Sequence, residues 1–210
     1  MGLICLQGGN ELTPACRDMD ALLLDAAGGG PVAVLPLAND LGHEYDSTAA
    51  DAVRHFTALG ATDVLVADPE KPHEAASRAA LLYLPGGSPD RLRRALVGTE
   101  LGAAVTAAVE DPDRVVAGSS AGAMLLCAWT FLRENGMHAG SGLGAVPDFA
   151  VVPHYGGPRP DWEALLLAKG VDLLGIPEAS GVLLDGENVT AVGTAPSTLI
   201  TAEGREALSI

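Results

Sequence analysis

Residues 118–122 read Gly118-Ser119-Ser120-Ala121-Gly122, between the apolar run Val115-Val116-Ala117 and the helix-forming run Ala123-Met124-Leu125-Leu126-Cys127. Strand, Gly-x-Ser-x-Gly turn and helix in that order describe a nucleophile elbow, a strained bend that exposes a serine hydroxyl. Glycine at 118 and 122 removes the Cβ where strand and helix fold back on each other. The helix that follows presents unpaired N–H groups where an oxyanion would form. In a chain with 26 glycines the same pentapeptide can also arise as a small-residue loop, but the elements on either side favour catalysis at Ser120.

A serine nucleophile needs a base within hydrogen-bond reach and a third group to orient that base. The histidines are His43, His55, His73, His138 and His154. His55, in a helical stretch, and His73, after Lys71-Pro72, are expected to be structural or solvated; His43 and His138, in polar or glycine-flanked segments, stay open. His154 ends the strand Ala150-Val151-Val152-Pro153 and precedes Tyr155-Gly156-Gly157-Pro158. In an open parallel sheet the functional edge is where strands end, which places His154 on the same edge as Ser120. Glu178, in the constrained loop Gly175-Ile176-Pro177-Glu178, is the best-placed orienting acid, with Asp148 and Asp185 behind it. Leu81–Leu84 runs into Pro85-Gly86-Gly87 at that edge, and an amide of Gly86 or Gly87 would form one half of an oxyanion hole with Ala121 as the other. In an α/β-hydrolase the histidine comes last in the chain. No histidine follows His154, so the order serine, histidine, glutamate fits better.

Short apolar runs alternate with longer helical patterns. Strands are expected at Leu3–Leu6, Val32–Leu37, Asp63–Val66, Ala80–Leu84, Val115–Gly118 and Ala150–Pro153. Helices are expected at about Asp18–Ala27, Thr48–Leu59, Pro89–Leu96, Thr99–Val109, Ala121–Leu132 and Asp161–Leu174. This alternation predicts βαβ units and a mainly parallel sheet covered on both faces. Ser88 as N-cap, Pro89 at the first helical position and Asp90 against the dipole mark one helix start. Near the C-terminus, Val182–Leu184, Asp185-Gly186-Glu187 and Val189–Val192 predict a hairpin, with a last strand near Thr198–Thr201. No linker or repeat divides the chain, so residues 1–210 are expected to form one domain.

The apolar fraction, 48%, excludes a disordered chain, and no apolar stretch approaches the ~18 residues of a membrane span. Met1-Gly2-Leu3-Ile4-Cys5-Leu6 has no basic region ahead of its apolar residues and is expected to be a first strand, not a signal peptide. Three cysteines without metal-ligand spacing suit reduced thiols in a cytoplasm. The net charge of −15, with no basic cluster, argues against nucleic acid and anionic membranes. It also means that an anionic substrate group needs a specific arginine.

Together Gly118-Ser119-Ser120-Ala121-Gly122-Ala123, the strand ending in Gly86-Gly87, Pro153-His154-Tyr155, Gly175-Ile176-Pro177-Glu178 and the glycines after Leu3–Gln7 resemble peptidase family S51, the family of aspartyl dipeptidase (peptidase E) and cyanophycinase. The resemblance spans nearly the whole chain. It implies a class I glutamine amidotransferase-like α/β fold, a three-layer α/β/α sandwich with a mainly parallel sheet in which serine replaces the cysteine nucleophile. It implies a triad of Ser120, His154 and Glu178, with the Gly87 and Ala121 amides as oxyanion hole. Gly86, Ser88, Tyr155 and Arg159 fall at substrate-contacting positions, with Arg91 as a second candidate to Arg159. The implied activity is hydrolysis of a short peptide, an aspartyl dipeptide or a β-aspartyl isopeptide, by a monomer or homodimer without metal or organic cofactor. Ser88-Pro89 after the paired glycines, where relatives often carry Asn, Asp or Gln, and the compact segment after His154 leave the substrate open. A serine esterase or amidase, or a non-catalytic ligand-binding protein on the same fold, are the alternatives.

Overall fold

The computed structural model describes residues 1–210. In chain order the elements are β1 (Leu3–Gln7), α1 (Arg17–Ala26), β2 (Val32–Val34), α2 (His43–Ala58), β3 (Val64–Val66), α3 (Pro72–Arg78), β4 (Leu81–Leu84), α4 (Pro89–Leu96), α5 (Glu100–Glu110) and β5 (Val115–Ser119). There follow α6 (Ala121–Leu126), β6 (Trp129–Leu132), β7 (His138–Ser141), β8 (Phe149–Pro153), α7 (Pro160–Leu167), β9 (Asp172–Ile176), β10 (Ser180–Asp185), β11 (Asn188–Gly193), β12 (Ser197–Ile200) and β13 (Arg205–Leu208).

A seven-stranded sheet in the order β11-β10-β1-β5-β4-β2-β3 forms the centre. Its strands β1, β5, β4, β2 and β3 are parallel, and the β10–β11 hairpin is added antiparallel at the β1 side. Strand alternation decides which residues face which layer. On β4, Leu82 and Leu84 join the large core cluster with α3, α4, α5 and α6, while Leu81 and Tyr83 join the smaller one with α1 and α2. Helices therefore cover both faces. Leu81–Leu84 are fully buried, as expected of a strand sandwiched between helix layers.

Three expectations are corrected. The helix expected over Ala121–Leu132 stops at Leu126, and Trp129-Thr130-Phe131-Leu132 pairs with β7 as a two-stranded ribbon; aromatic and β-branched residues favour that extended state. The helix expected to reach Leu174 stops at Leu167. Gly170 (φ +77°) turns the chain, and Asp172–Ile176 becomes a strand, because a left-handed glycine ends a helix. Third, β8, which carries His154 at its end, is not part of the central sheet. It belongs to a separate four-stranded sheet, β13-β12-β9-β8.

What brings the two sheets together is the segment after β1. Gly8 O accepts from His154 N (2.8 Å), Gly8 N donates to Ser180 O (2.9 Å), and Gly9 O accepts from Ala179 N (2.9 Å). A Cβ on Gly8 would lie 2.1 Å from Pro177 O, so only glycine lets the strands converge here. No helix is long and apolar enough to cross a membrane.

Candidate active site

Ser120 sits between β5 and α6 with φ 48° and ψ −110°, a left-handed conformation that costs about 1–3 kcal/mol and persists only where its surroundings over-determine it. The flanking glycines supply the constraint. A Cβ on Gly118 would lie 2.5 Å from Gly122 C, and one on Gly122 would lie 2.0 Å from Leu84 O. Ser120 N donates to Gln7 O (3.0 Å), which fixes the bend to β1. Ser120 is partly exposed, whereas Ser119 is completely buried. The adjacent serine is thus unable to meet a substrate.

Ser120 Oγ lies 3.0 Å from His154 Nε2, and His154 Nδ1 lies 3.1 Å from Glu178 Oε1. With Nδ1–H donating to the carboxylate, Nε2 is left free to accept the serine proton. His154 itself is left-handed (φ 50°), as is Ala179 (φ 51°) immediately after Glu178. Strain thus gathers at Ser120, at His154 and beside Glu178, as at functional sites that store it. The pair is open: the His154 and Glu178 side chains are 42% and 59% exposed. A solvated ion pair contributes little to stability.

The Gly86-Gly87 turn, expected to supply an oxyanion donor, is held from three sides. Gly86 N donates to Glu11 Oε1 (2.7 Å), Gly86 O accepts from Asn39 Nδ2 (3.1 Å), and Ser88 N donates to Ala38 O (2.8 Å). Gly87 N–H has no acceptor within the chain. In a trans peptide the N–H points opposite to the carbonyl, so Asn39, by holding Gly86 O, directs Gly87 N–H the other way. Gly87 has φ +140°, and a Cβ there would strike Ala38 O at 2.6 Å. Ala121, the first residue of α6, has no intrahelical acceptor for its own N–H.

Ser120, His154, Gly87 and Ala121 line one cleft of about 450 Å³, which also contains Ser88, Arg133, Arg159 and Trp162. That volume is in the range of small-molecule sites, about 300–1,000 Å³. Trp162 stacks on Phe131 (centroids 4.0 Å apart) and carries the guanidinium groups of Arg133 and Arg159 at 5.4 and 5.3 Å from its ring. Arg159 also donates to His154 O (2.7 Å). The side chain of Arg133 makes no hydrogen bond or ion pair within the chain, and Asp90 accepts from its backbone N (3.2 Å).

Other expected site residues fall elsewhere. Gly86 has both of its polar groups engaged and contributes to the shape of the turn. The Tyr155 ring is buried against Gly175, away from the cleft. Ser88 lines the cleft and also caps α4, accepting from Arg91 N (3.3 Å). Arg91 is ion-paired with Asp40. His55 is buried against Asp20 (2.8 Å), and His43, His73 and His138 are exposed outside the cleft. No group of three or more His, Cys, Asp or Glu side chains is placed to hold a metal ion. Burial pushes the Cys127 thiol up to about 12 and raises Cys5 and Cys16 as well, so no ready thiolate competes with the serine. Glu11, Asn39, Arg133 and Trp162 were not anticipated from sequence. The signal for Glu11 was its position just past the glycines that end β1.

Against this geometry the family comparison is decisive: the model of peptidase family S51 matches residues 3–192. The chain belongs to peptidase family S51. Among solved structures, this chain is similar to a peptidase from an acI-B1 Actinobacterium, at 21% identity and TM-score 0.81, with 100% of this chain and 94% of that one covered. It is also similar to a Listeria monocytogenes EGD-e protein described as a "Putative Peptidase E Protein", at 15% identity and TM-score 0.66, with 93% of this chain and 100% of that one covered. At such identities the likeness concerns the fold. No curated protein matches the chain. Membership of S51 establishes a peptidase.

Proposed function

We propose that this S51 peptidase is a serine enzyme that hydrolyses short peptides carrying an acidic residue, aspartyl dipeptides or a β-aspartyl isopeptide, through an acyl-enzyme. The observation that carries this reading is the continuous relay Ser120 Oγ–His154 Nε2 and His154 Nδ1–Glu178 Oε1, at 3.0 and 3.1 Å, beside a Gly87 N–H with no internal partner. Ser120 Oγ attacks the acyl carbon while its proton passes to His154 Nε2, and the carbonyl π-pair moves onto oxygen. The Gly87 and Ala121 amides hold that oxyanion. Glu178 keeps the imidazolium oriented. The tetrahedral species collapses, the C–N bond breaks, and His154 returns its proton to the leaving amine. Water, deprotonated by His154, then attacks the ester and releases Ser120.

Substrate class follows from charge. In a chain of net charge −15 a substrate carboxylate enters an unfavourable field and loses hydration, so it requires a cation in the cleft. Arg159 is held by Trp162 and His154 O, and Arg133 stacks on the same ring with its guanidinium free of hydrogen bonds. The two converge on one ring, which supports recognition of a carboxylate. The small cleft supports a short peptide rather than a folded protein. The central sheet with helices on both faces and the serine at a strand–helix elbow support assignment to the class I glutamine amidotransferase-like α/β/α group.

The test is hydrolysis of a dipeptide panel, aspartyl against neutral N-terminal residues and peptide against ester bonds, with a Ser120→Ala control. Preference for aspartyl peptides, lost in the control, is expected. Turnover of esters alone would support the esterase reading, and turnover that survives Ser120→Ala would overturn the serine mechanism.

A further inference from the structure

The loop after β1 sends one side chain to both the Gly86-Gly87 turn and the strand end that carries Ser120. Glu11 is flanked by left-handed residues, Asn10 (φ 57°) and Leu12 (φ 60°), and the loop is pinned by Thr13 Oγ1 donating to Asn10 O (2.9 Å). The Glu11 carboxylate accepts two hydrogen bonds from two different segments. Oε1 takes the Gly86 amide at 2.7 Å, and Oε2 takes the hydroxyl of fully buried Ser119 at 3.0 Å. One segment carries the oxyanion turn, and the other carries the nucleophile one residue further on. Position 86 shows how tightly the three meet: a Cβ there would lie 2.7 Å from Glu11 Oε1 and 3.1 Å from Ser120 Cβ.

We infer that Glu11 is a positioning residue, a carboxylate clamp that sets the Gly86-Gly87 turn against the Ser120 elbow so that the Gly87 amide stands where the oxyanion forms. The inference rests on Ser120 being the nucleophile. A carboxylate near a developing negative charge is unfavourable unless its oxygens are held by donors, and here each oxygen accepts one hydrogen bond. Charge-assisted bonds are shorter and stronger than neutral ones, which suits a clamp between two strained turns. Glu11 also consumes the Gly86 amide, leaving that of Gly87 as the free donor of the turn. Asn39, on Gly86 O, fixes the next peptide plane. The two peptides on either side of Gly86 are therefore held independently, an arrangement expected of preorganised donors. Ser119 acquires a role as well: it is the buried anchor by which Glu11 reaches the elbow.

The experiment compares wild type, Glu11→Gln, Glu11→Ala, Ser119→Ala and the Glu11→Gln/Ser119→Ala double variant. Each is measured for its rate of covalent modification by a fluorophosphonate and that reagent's inhibition constant, with thermal melting as the check on folding. Glu11→Gln keeps the size and one acceptor, so it remains folded even where Glu11→Ala does not. The expected result is a 10- to 100-fold lower maximal modification rate in Glu11→Gln, with the inhibition constant within threefold. Ser119→Ala should lose a fewfold, and the double variant no more than Glu11→Gln alone, because Ser119 acts on the elbow through its bond to Glu11. A Glu11→Gln rate within twofold of wild type overturns the clamp. So does a change confined to the inhibition constant, which would make Glu11 a substrate contact, or full additivity in the double variant. Failure of wild type to react at all would instead contradict the serine mechanism on which the inference rests.

Discussion

Gly9 lies directly against the imidazole of His154: a Cβ at position 9 would fall 2.2 Å from Cε1 and 2.6 Å from Nδ1 of the ring. The residue that ends the first strand's glycine pair therefore forms the wall behind a histidine that arrives from another sheet. Backbone hydrogen bonds from His154 N to Gly8 O and from Ala179 N to Gly9 O tie the same spot to the segments that carry His154 and Glu178.

Gly9→Ala is accordingly expected to displace the ring and lower kcat/KM about 100-fold or more, the order contributed by a positioned base. Because Gly9 has φ +122°, a modest loss of melting temperature should accompany it. Steady-state kinetics on the folded variant check this. Unchanged kcat would mean that the ring does not need the wall.

Glu178→Gln should lower kcat while leaving KM and stability nearly unchanged. An amide no longer enforces the Nδ1–H tautomer. Since the carboxylate is 59% exposed, water can take part of its place, and a loss of about 10- to 100-fold is expected rather than the larger loss seen at buried triads. Melting temperatures should agree closely, as a surface pair is worth about 0–1 kcal/mol. A large stability change with unaltered kcat would assign Glu178 to structure alone.

Arg159→Met is expected to raise KM for aspartyl peptides about 10-fold or more over its effect on neutral ones, from the loss of a charge-assisted bond worth about 1.5–3 kcal/mol. Some loss of kcat on all substrates should follow, because Arg159 also holds His154 O. Equal KM effects on both substrate classes would exclude it as the carboxylate reader and leave Arg133.

Much of the geometry of this candidate site was legible in the chain because its constraints are local. Gly118 and Gly122 are demanded by contacts of a strand with the helix that follows it, and the hairpin β10–β11 by a turn sequence. Ser120 and His154 each follow a readable strand, whereas Glu178 follows β9, part of which the sequence reads as helix. The partition of the strands was not legible. The sequence predicts one sheet, whereas β8 and β9 form a second sheet that meets the first through Gly8 and Gly9, a long-range convergence that no periodicity records. Trp129–Leu132 was absorbed into a helix because its apolar run continued that of α6. The break at Gly170 was a local signal that the apolar run beyond it masked. Glu11 and Arg133 act across 75 and more positions of sequence or through a ring stack, and only the assembled fold brings them together.

The buried thiols make a prediction for alkaline pH. Burial raises the folded-state values of Cys5 and Cys127 above the usual 9.0. Below pH 9 both states keep the proton and stability is fully present. As pH rises past 9 the unfolded chain releases protons that the native chain retains, and stability falls by up to about 1.4 kcal/mol per pH unit per thiol. Urea midpoints between about pH 9 and 10 should decline, and less steeply in Cys127→Ala. Equal slopes in the two proteins would contradict this.

The most direct measurement on the central claim is the site of covalent capture. Wild-type protein treated with a fluorophosphonate and mapped by peptide mass spectrometry should carry one adduct, on Ser120, with loss of peptidase activity in step with labelling. The adduct should be absent in Ser120→Ala and form far more slowly in His154→Ala. An adduct on Ser119 or elsewhere, or full peptidase activity in protein that has no reactive serine, would contradict the account.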